Sequence, residues 1–120
     1  MPGEVKNFDS PDETRPFEGK GQADIVKVGG DPVGKGVFEP GWKWSNNVKP
    51  IAQTDSCQAH HVGYCVSGAM TVHMEDGTTL EIGAGDVFDI PPGHDAEVTG
   101  EEPCVQIDWG GSAKYAKRDD

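Results

Sequence analysis

Glycine and proline interrupt nearly every window of this chain that is long enough to hold a helix. There are 17 glycines and 9 prolines in 120 residues. Glycine adds backbone entropy that a helix must remove, and proline lacks the N–H and clashes with the preceding turn. Between the breaks lie short runs with strand character: ADIVKV, GVFEP with GWKW, CQAHHVGYCVSG, AMTVHM, TTLEI, DVFDI, DAEV and PCVQIDW. Short strands at this regular spacing, separated by turn signals, predict an all-β sandwich or barrel. The length suits one domain with a single core.

The ends differ in character from the middle. Residues 1–22 are polar, acidic and proline-bearing, and are expected to form an extended or disordered arm. Residues 23–110 hold the strand-like runs, and 111–120, GSAKYAKRDD, reads as a loose tail. The net charge of −11 argues against nucleic-acid or anionic-membrane partners, both of which would be repelled. The N-terminus lacks the basic start and apolar run of a secretion signal, and no stretch is apolar enough to span a bilayer. A cytoplasmic address is therefore the expectation. Three cysteines, an odd number, make no disulfide framework and are expected as free thiols in a reducing compartment.

One hairpin can be registered from the sequence. Met70, Val72 and Met74 alternate with Thr71 and His73, and Leu80 and Ile82 alternate with Thr79 and Glu81. A two-residue Asp76-Gly77 loop would set Val72 opposite Glu81 and mix the faces. A three-residue loop, Glu75-Asp76-Gly77, pairs Met74 with Thr78, Val72 with Leu80 and Met70 with Ile82. It also puts glycine where a left-handed backbone is needed. His73 then falls on the outer, solvated face with Thr71, Thr79 and Glu81.

In GAGDVFDIPPGHDAEV, Gly83 and Gly85 make a turn, Phe88 and Ile90 share a strand face, and Pro91-Pro92-Gly93 ends the strand. Gly85, Pro91 and Gly93 match the second motif of the cupins, and Gly68 with its upstream segment aligns with the first. Over about residues 35 to 109 the chain resembles that family, small jelly-roll β-barrels that commonly carry a metal in the mouth. The resemblance implies an all-β cupin barrel, a small-molecule ligand and a homodimer. In the family's ligand positions stand Asp55, Cys57 and His61, with Ala96 at the second-motif histidine and His94 two residues before it.

Strand alternation gives Asp55, Cys57, Ala59, His61, Gly63 and Cys65 one parity and His60, Val62 and Tyr64 the other. His61 is thus expected to look into the barrel and His60 outward, unless a bulge at Gly63 swaps them. His94 and Ala96 face the same way, so His94 reaches toward the same cavity. Cys57, His61, His94 and Asp55 together supply four donors for a divalent metal, with Zn, Fe, Ni and Cu all compatible. The competing reading makes Cys57 a small buried hydrophobe, His61 a hydrogen-bonded core residue and Asp55 a turn residue. A Cys57/His61 nucleophilic pair lacks a visible third orienting group. Cys65 and Cys104 read as core thiols.

Trp42 and Trp44 of GWKW are expected on one strand face, filling the core, packing an interface or walling a pocket. Three classes of function follow. One is a metal-dependent oxygenase, isomerase or hydrolase acting on a small organic substrate. Another is a non-catalytic binding or sensing barrel, with or without a structural metal. The third is a metal-free barrel whose outer face serves as an interaction module. The fold alone does not separate them.

Overall fold

The computed structural model describes residues 3–109. Among the described residues, nine strands form two antiparallel sheets. The strands are β1 (Glu13–Pro16), β2 (Gly21–Val28), β3 (Asp31–Phe38), β4 (His61–Ser67), β5 (Ala69–Met74), β6 (Thr79–Gly83), β7 (Val87–Ile90), β8 (His94–Val98) and β9 (Cys104–Asp108). The larger sheet runs in the order β1-β2-β3-β9-β4-β7, and the smaller is β6-β5-β8. Two single-turn helices, α1 (Trp44–Asn47) and α2 (Lys49–Ala52), lie between β3 and β4.

Alternation explains which residues fill the space between the sheets. In β4, His61, Gly63 and Cys65 are buried while Val62, Tyr64 and Val66 are exposed. In β8, His94, Ala96 and Val98 are buried, and in β7, Phe88 and Ile90. Ile25, Val72, Cys65 and Cys104 are almost completely enclosed. Burying a side chain the size of Val or Ile stabilises the fold by about 1.5–3 kcal/mol, so these residues carry much of the core.

The β5–β6 hairpin has the expected register: Met70 opposes Ile82, Val72 opposes Leu80, and His73 opposes Thr79. Met74 N–H donates to Thr78 O at 2.9 Å, closing the three-residue loop, and Gly77 has φ of 91°. His73 is on the outer face, bonded to Glu97 at 2.9 Å.

Several expectations are corrected. The sheet begins at β1, which pairs antiparallel with β2, so ordered structure starts well before residue 23. The expected tail at 111–120 lies outside the described residues. Trp42 and Trp44 are not on a strand. Pro40-Gly41 turns the chain, Trp42 N–H donates to Glu39 O at 3.0 Å, and Trp44 opens α1. The Ser45 N–H donates to Asp95 Oδ1 at 3.0 Å, which fixes α1 against the start of β8. Both tryptophans are buried. The segment read as a strand from residue 55 is irregular up to His61, apart from an isolated bridge between Cys57 and His94.

Candidate metal centre

Cys57, His61 and His94 converge at one end of the space between the sheets, and all three are buried. Each is positioned by a different piece of backbone. Cys57 is held by the isolated bridge: its N–H donates to His94 O at 2.7 Å, and Gly93 N–H donates to Cys57 O at 2.8 Å. His61 opens β4, where it pairs with Ile90 of β7. His94 opens β8 directly after the Pro91-Pro92-Gly93 corner.

The two imidazoles are oriented by their Nδ1 atoms. His94 Nδ1 lies 2.8 Å from Pro91 O, and because a carbonyl only accepts, Nδ1 carries the proton. In the neutral ring the lone pair is then on Nε2. His61 Nδ1 is hydrogen-bonded to the Asp108 carboxylate at the end of β9, and His61 Nε2 lies 3.6 Å from Cys57 Sγ. The rings meet edge to face with centroids 5.5 Å apart. One donor atom from each of the three residues lies within 4.8 Å of the others.

Asp108 reaches His61 because β4 and β9 approach closely at Gly63, the residue paired with Asp108. A Cβ at Gly63 would stand 2.1 Å from Ile107 O, which no side chain tolerates. The glycine is therefore part of the site's construction.

Electrostatics follow from this geometry. Burial raises the Cys57 thiol, but hydrogen bonds from His61 and then His94, with their charges, outweigh it and bring the pKa from 9.0 down to about 6. Burial lowers His61, while the hydrogen bond to Asp108 and then that to Cys57 outweigh it and bring the pKa from 6.5 up to about 9. A thiolate facing an imidazolium is the favoured pair at neutral pH.

Asp55 does not join this cluster. It is exposed on a bend, because strand alternation begins at His61 and does not extend back to residue 55. His60 faces outward and pairs with Asp89 at 2.5 Å. The carboxylate of the site is Asp108, which the sequence reading passed over. Its signal was its parity on β9 with Cys104 and Gln106, both of which are buried. Cys65 and Cys104 are free, enclosed thiols with Sγ atoms 3.9 Å apart.

Behind the cluster lies a small cavity of about 50 Å³. His61, His94 and Asp108 stand on its wall, and the rest is mostly apolar, including Ile25, Phe38, Trp42, Trp44 and Val72. A concave apolar site with a few convergent polar groups is the usual form of a small-molecule pocket.

Comparison with known proteins agrees with this architecture. A family model described as "Cupin domain" matches residues 52–110, which include Cys57, His61, His94 and Asp108. No curated protein matches the sequence. Among solved structures, an RmlC-like cupin from Shewanella frigidimarina superposes with a TM-score of 0.61 at 19% identity, covering 95% of this chain and 96% of that one. KdgF from a Halomonas species gives 0.60 at 22% identity, over 85% and 89% of the two chains. A protein of unknown function (DUF1255) from Acidithiobacillus ferrooxidans gives 0.59 at 22%, over 81% and 85%. At these identities the likeness speaks to the fold. Residues 52–110 match the cupin domain, and the two-sheet barrel around them has the cupin fold.

Proposed function

We propose that this chain binds one divalent transition-metal ion through Cys57 Sγ, His61 Nε2 and His94 Nε2, and uses it on a small organic molecule admitted to the adjoining cavity. The observation that carries the reading is the tethering of both Nδ1 atoms, one by Asp108 and one by Pro91 O. Metal-bound histidines are commonly held this way, with the far nitrogen bonded to a carboxylate or carbonyl. The spacing also fits. Two tetrahedral ligands at ordinary Zn–S and Zn–N lengths stand about 3.6 Å apart, and Cys57 Sγ and His61 Nε2 are separated by 3.6 Å.

A thiolate and two imidazoles suit Zn, Fe, Ni or Cu. Three protein ligands leave a coordination position open, which is the arrangement of catalytic sites. The bound ion would supply Lewis acidity or activate water or oxygen, consistent with hydrolase, isomerase or oxygenase chemistry. This chain's own residues exclude bulk water, hold the imidazole tautomers through Asp108 and Pro91, and seat the substrate against the apolar wall. Cobalt substitution tests the coordination. Bound Co²⁺ should give a thiolate-to-metal charge-transfer band in the near ultraviolet that disappears in Cys57→Ser; a spectrum unaffected by that change contradicts thiolate ligation.

A second reading is favoured by Asp108. It supplies the third, orienting group that a Cys57/His61 nucleophilic pair needs. In that case alkylation of Cys57 abolishes activity in metal-free protein.

The family's dimeric habit is a further part of the proposal. Tyr64 of β4 pairs with Val87 of the edge strand β7, and Val62, Tyr64, Val66 and Val87 all expose apolar surface on the outer face. Pairing of two copies through this face would cover the β7 edge.

A further inference from the structure

The cavity behind the cluster has a volume of about 50 Å³. A single water needs at least about 10–15 Å³ of such space, so the cavity has room for about three to five atoms of that size. Ile25, Phe38, Val72, Ile90 and Ala96 supply hydrocarbon to its wall.

The polar side chains on the wall are already engaged. His61 Nδ1 is held by Asp108, and His94 Nδ1 by Pro91 O. Gln106 Nε2 meets Cys104 Sγ at 3.4 Å and Met70 Sδ at 3.5 Å. The indole nitrogens of Trp42 and Trp44 are enclosed by protein, so those rings meet a ligand through carbon. Among the described side chains on the wall, every N–H donor is thus engaged or enclosed, apart from the two Nε2 atoms assigned to the metal. A polar group entering this space gives up its hydrogen bonds to water and gains few in return.

The size limit is held rigidly at Phe38. Its ring folds back over Gly36 of the same strand, where a Cβ would stand 2.5 Å from the ring. Phe17 stacks on that ring with centroids 5.3 Å apart, and Trp42 meets it edge-on at 4.6 Å. In an interior packed as densely as a crystal, a ring so flanked has little room to withdraw.

We propose that the cavity is a size-limited apolar pocket for a compact, uncharged molecule, or the end of one, of about three to five non-hydrogen atoms, and that Phe38 sets the limit. The pocket rests on the same cavity as the proposed function and narrows the class of substrate group admitted there; it does not require the metal.

Isobutene and acetamide share a planar shape and differ in polarity, and benzene is larger than both. Each is titrated into the metal-free full chain carrying ¹³C-labelled methyl groups. Isobutene should move the methyl signals of Ile25, Val72 and Ile90 saturably and leave exposed Val87 in place. Acetamide should bind at least about ten-fold more weakly, because its amide goes unpaired. Benzene should give no saturable shift in wild type and should bind once Phe38→Leu opens the wall; Phe38→Met serves the same end if the leucine variant does not fold. No saturable shift with isobutene, acetamide binding as tightly, benzene entering wild type, or benzene still refused by a folded Phe38 variant overturns the proposal. Metal uptake is measured alongside in zinc-supplemented protein. A pocket that fails in a chain that takes up zinc leaves the metal centre standing, and the reverse result leaves the pocket.

Discussion

Asp108 and His61 stand 47 residues apart in sequence, yet the carboxylate of one holds the Nδ1 of the other. That contact fixes which imidazole nitrogen is available to a metal, so its loss should be felt at the ion and not only in the fold. Asp108→Asn is expected to lower zinc affinity by about 10–100-fold. Competition against a chromophoric chelator measures this directly. Unchanged affinity would mean that the carboxylate does not orient a ligand.

The same contact depends on Gly63. With a Cβ there only 2.1 Å from Ile107 O, Gly63→Ala must push β9 away from β4. The expected destabilisation is about 1–3 kcal/mol, as for other overpacked interiors, accompanied by weaker zinc binding. Denaturant melts and the chelator competition together check this. A variant as stable as wild type would show that the strands separate without cost.

In metal-free protein the cluster should titrate in an unusual window. The folded pKa of Cys57 is depressed from 9.0 to about 6. Its contribution to stability is therefore present above pH 9 and lost as pH falls through 6. The folded pKa of His61 is raised from 6.5 to about 9, so its contribution is full below 6.5 and lost as pH rises through 9. Thiolate absorbance in the far ultraviolet, wild type minus Cys57→Ala, should appear with a midpoint near pH 6. The stability gap between wild type and Cys57→Ala should narrow as pH drops through that value, and the gap to His61→Gln should narrow as pH climbs through 9. A thiol that ionises only near pH 9 would contradict the arrangement.

How much of this was legible beforehand varied with the kind of constraint. The β5–β6 register was readable because a one-residue slip would set Val72 against Glu81, so burial alone decides it. The inward turn of His61 followed from alternation within β4, and His60, just ahead of that strand, is exposed. Asp55 was misassigned because the same alternation was carried back into a segment that is not a strand; what brings Cys57 inward is its bridge to His94, a long-range pairing without a local signature. Trp42 and Trp44 were misplaced for a similar reason, since Pro40-Gly41 and the Asp95 contact to Ser45 override their strand propensity. Asp108 carried a readable parity, but its partner lies on another strand.

The exposed apolar row on β4 and β7 gives a separate expectation. Val87 is 75% exposed, so Val87→Lys should change the stability of the isolated chain by no more than about 0.5 kcal/mol. If the outer face pairs two copies, the same change shifts sedimentation from dimer to monomer. A dimer indifferent to Val87→Lys places the interface elsewhere.

Elemental analysis of the purified chain after growth in metal-supplemented medium bears most directly on the convergence of Cys57, His61 and His94 around an ion. The expected result is close to one transition-metal ion per chain in wild type, with loss in Cys57→Ala, His61→Ala and His94→Ala variants that remain folded. A folded wild-type protein that takes up no metal, or that keeps a full complement when His94 is removed, would contradict the proposed centre.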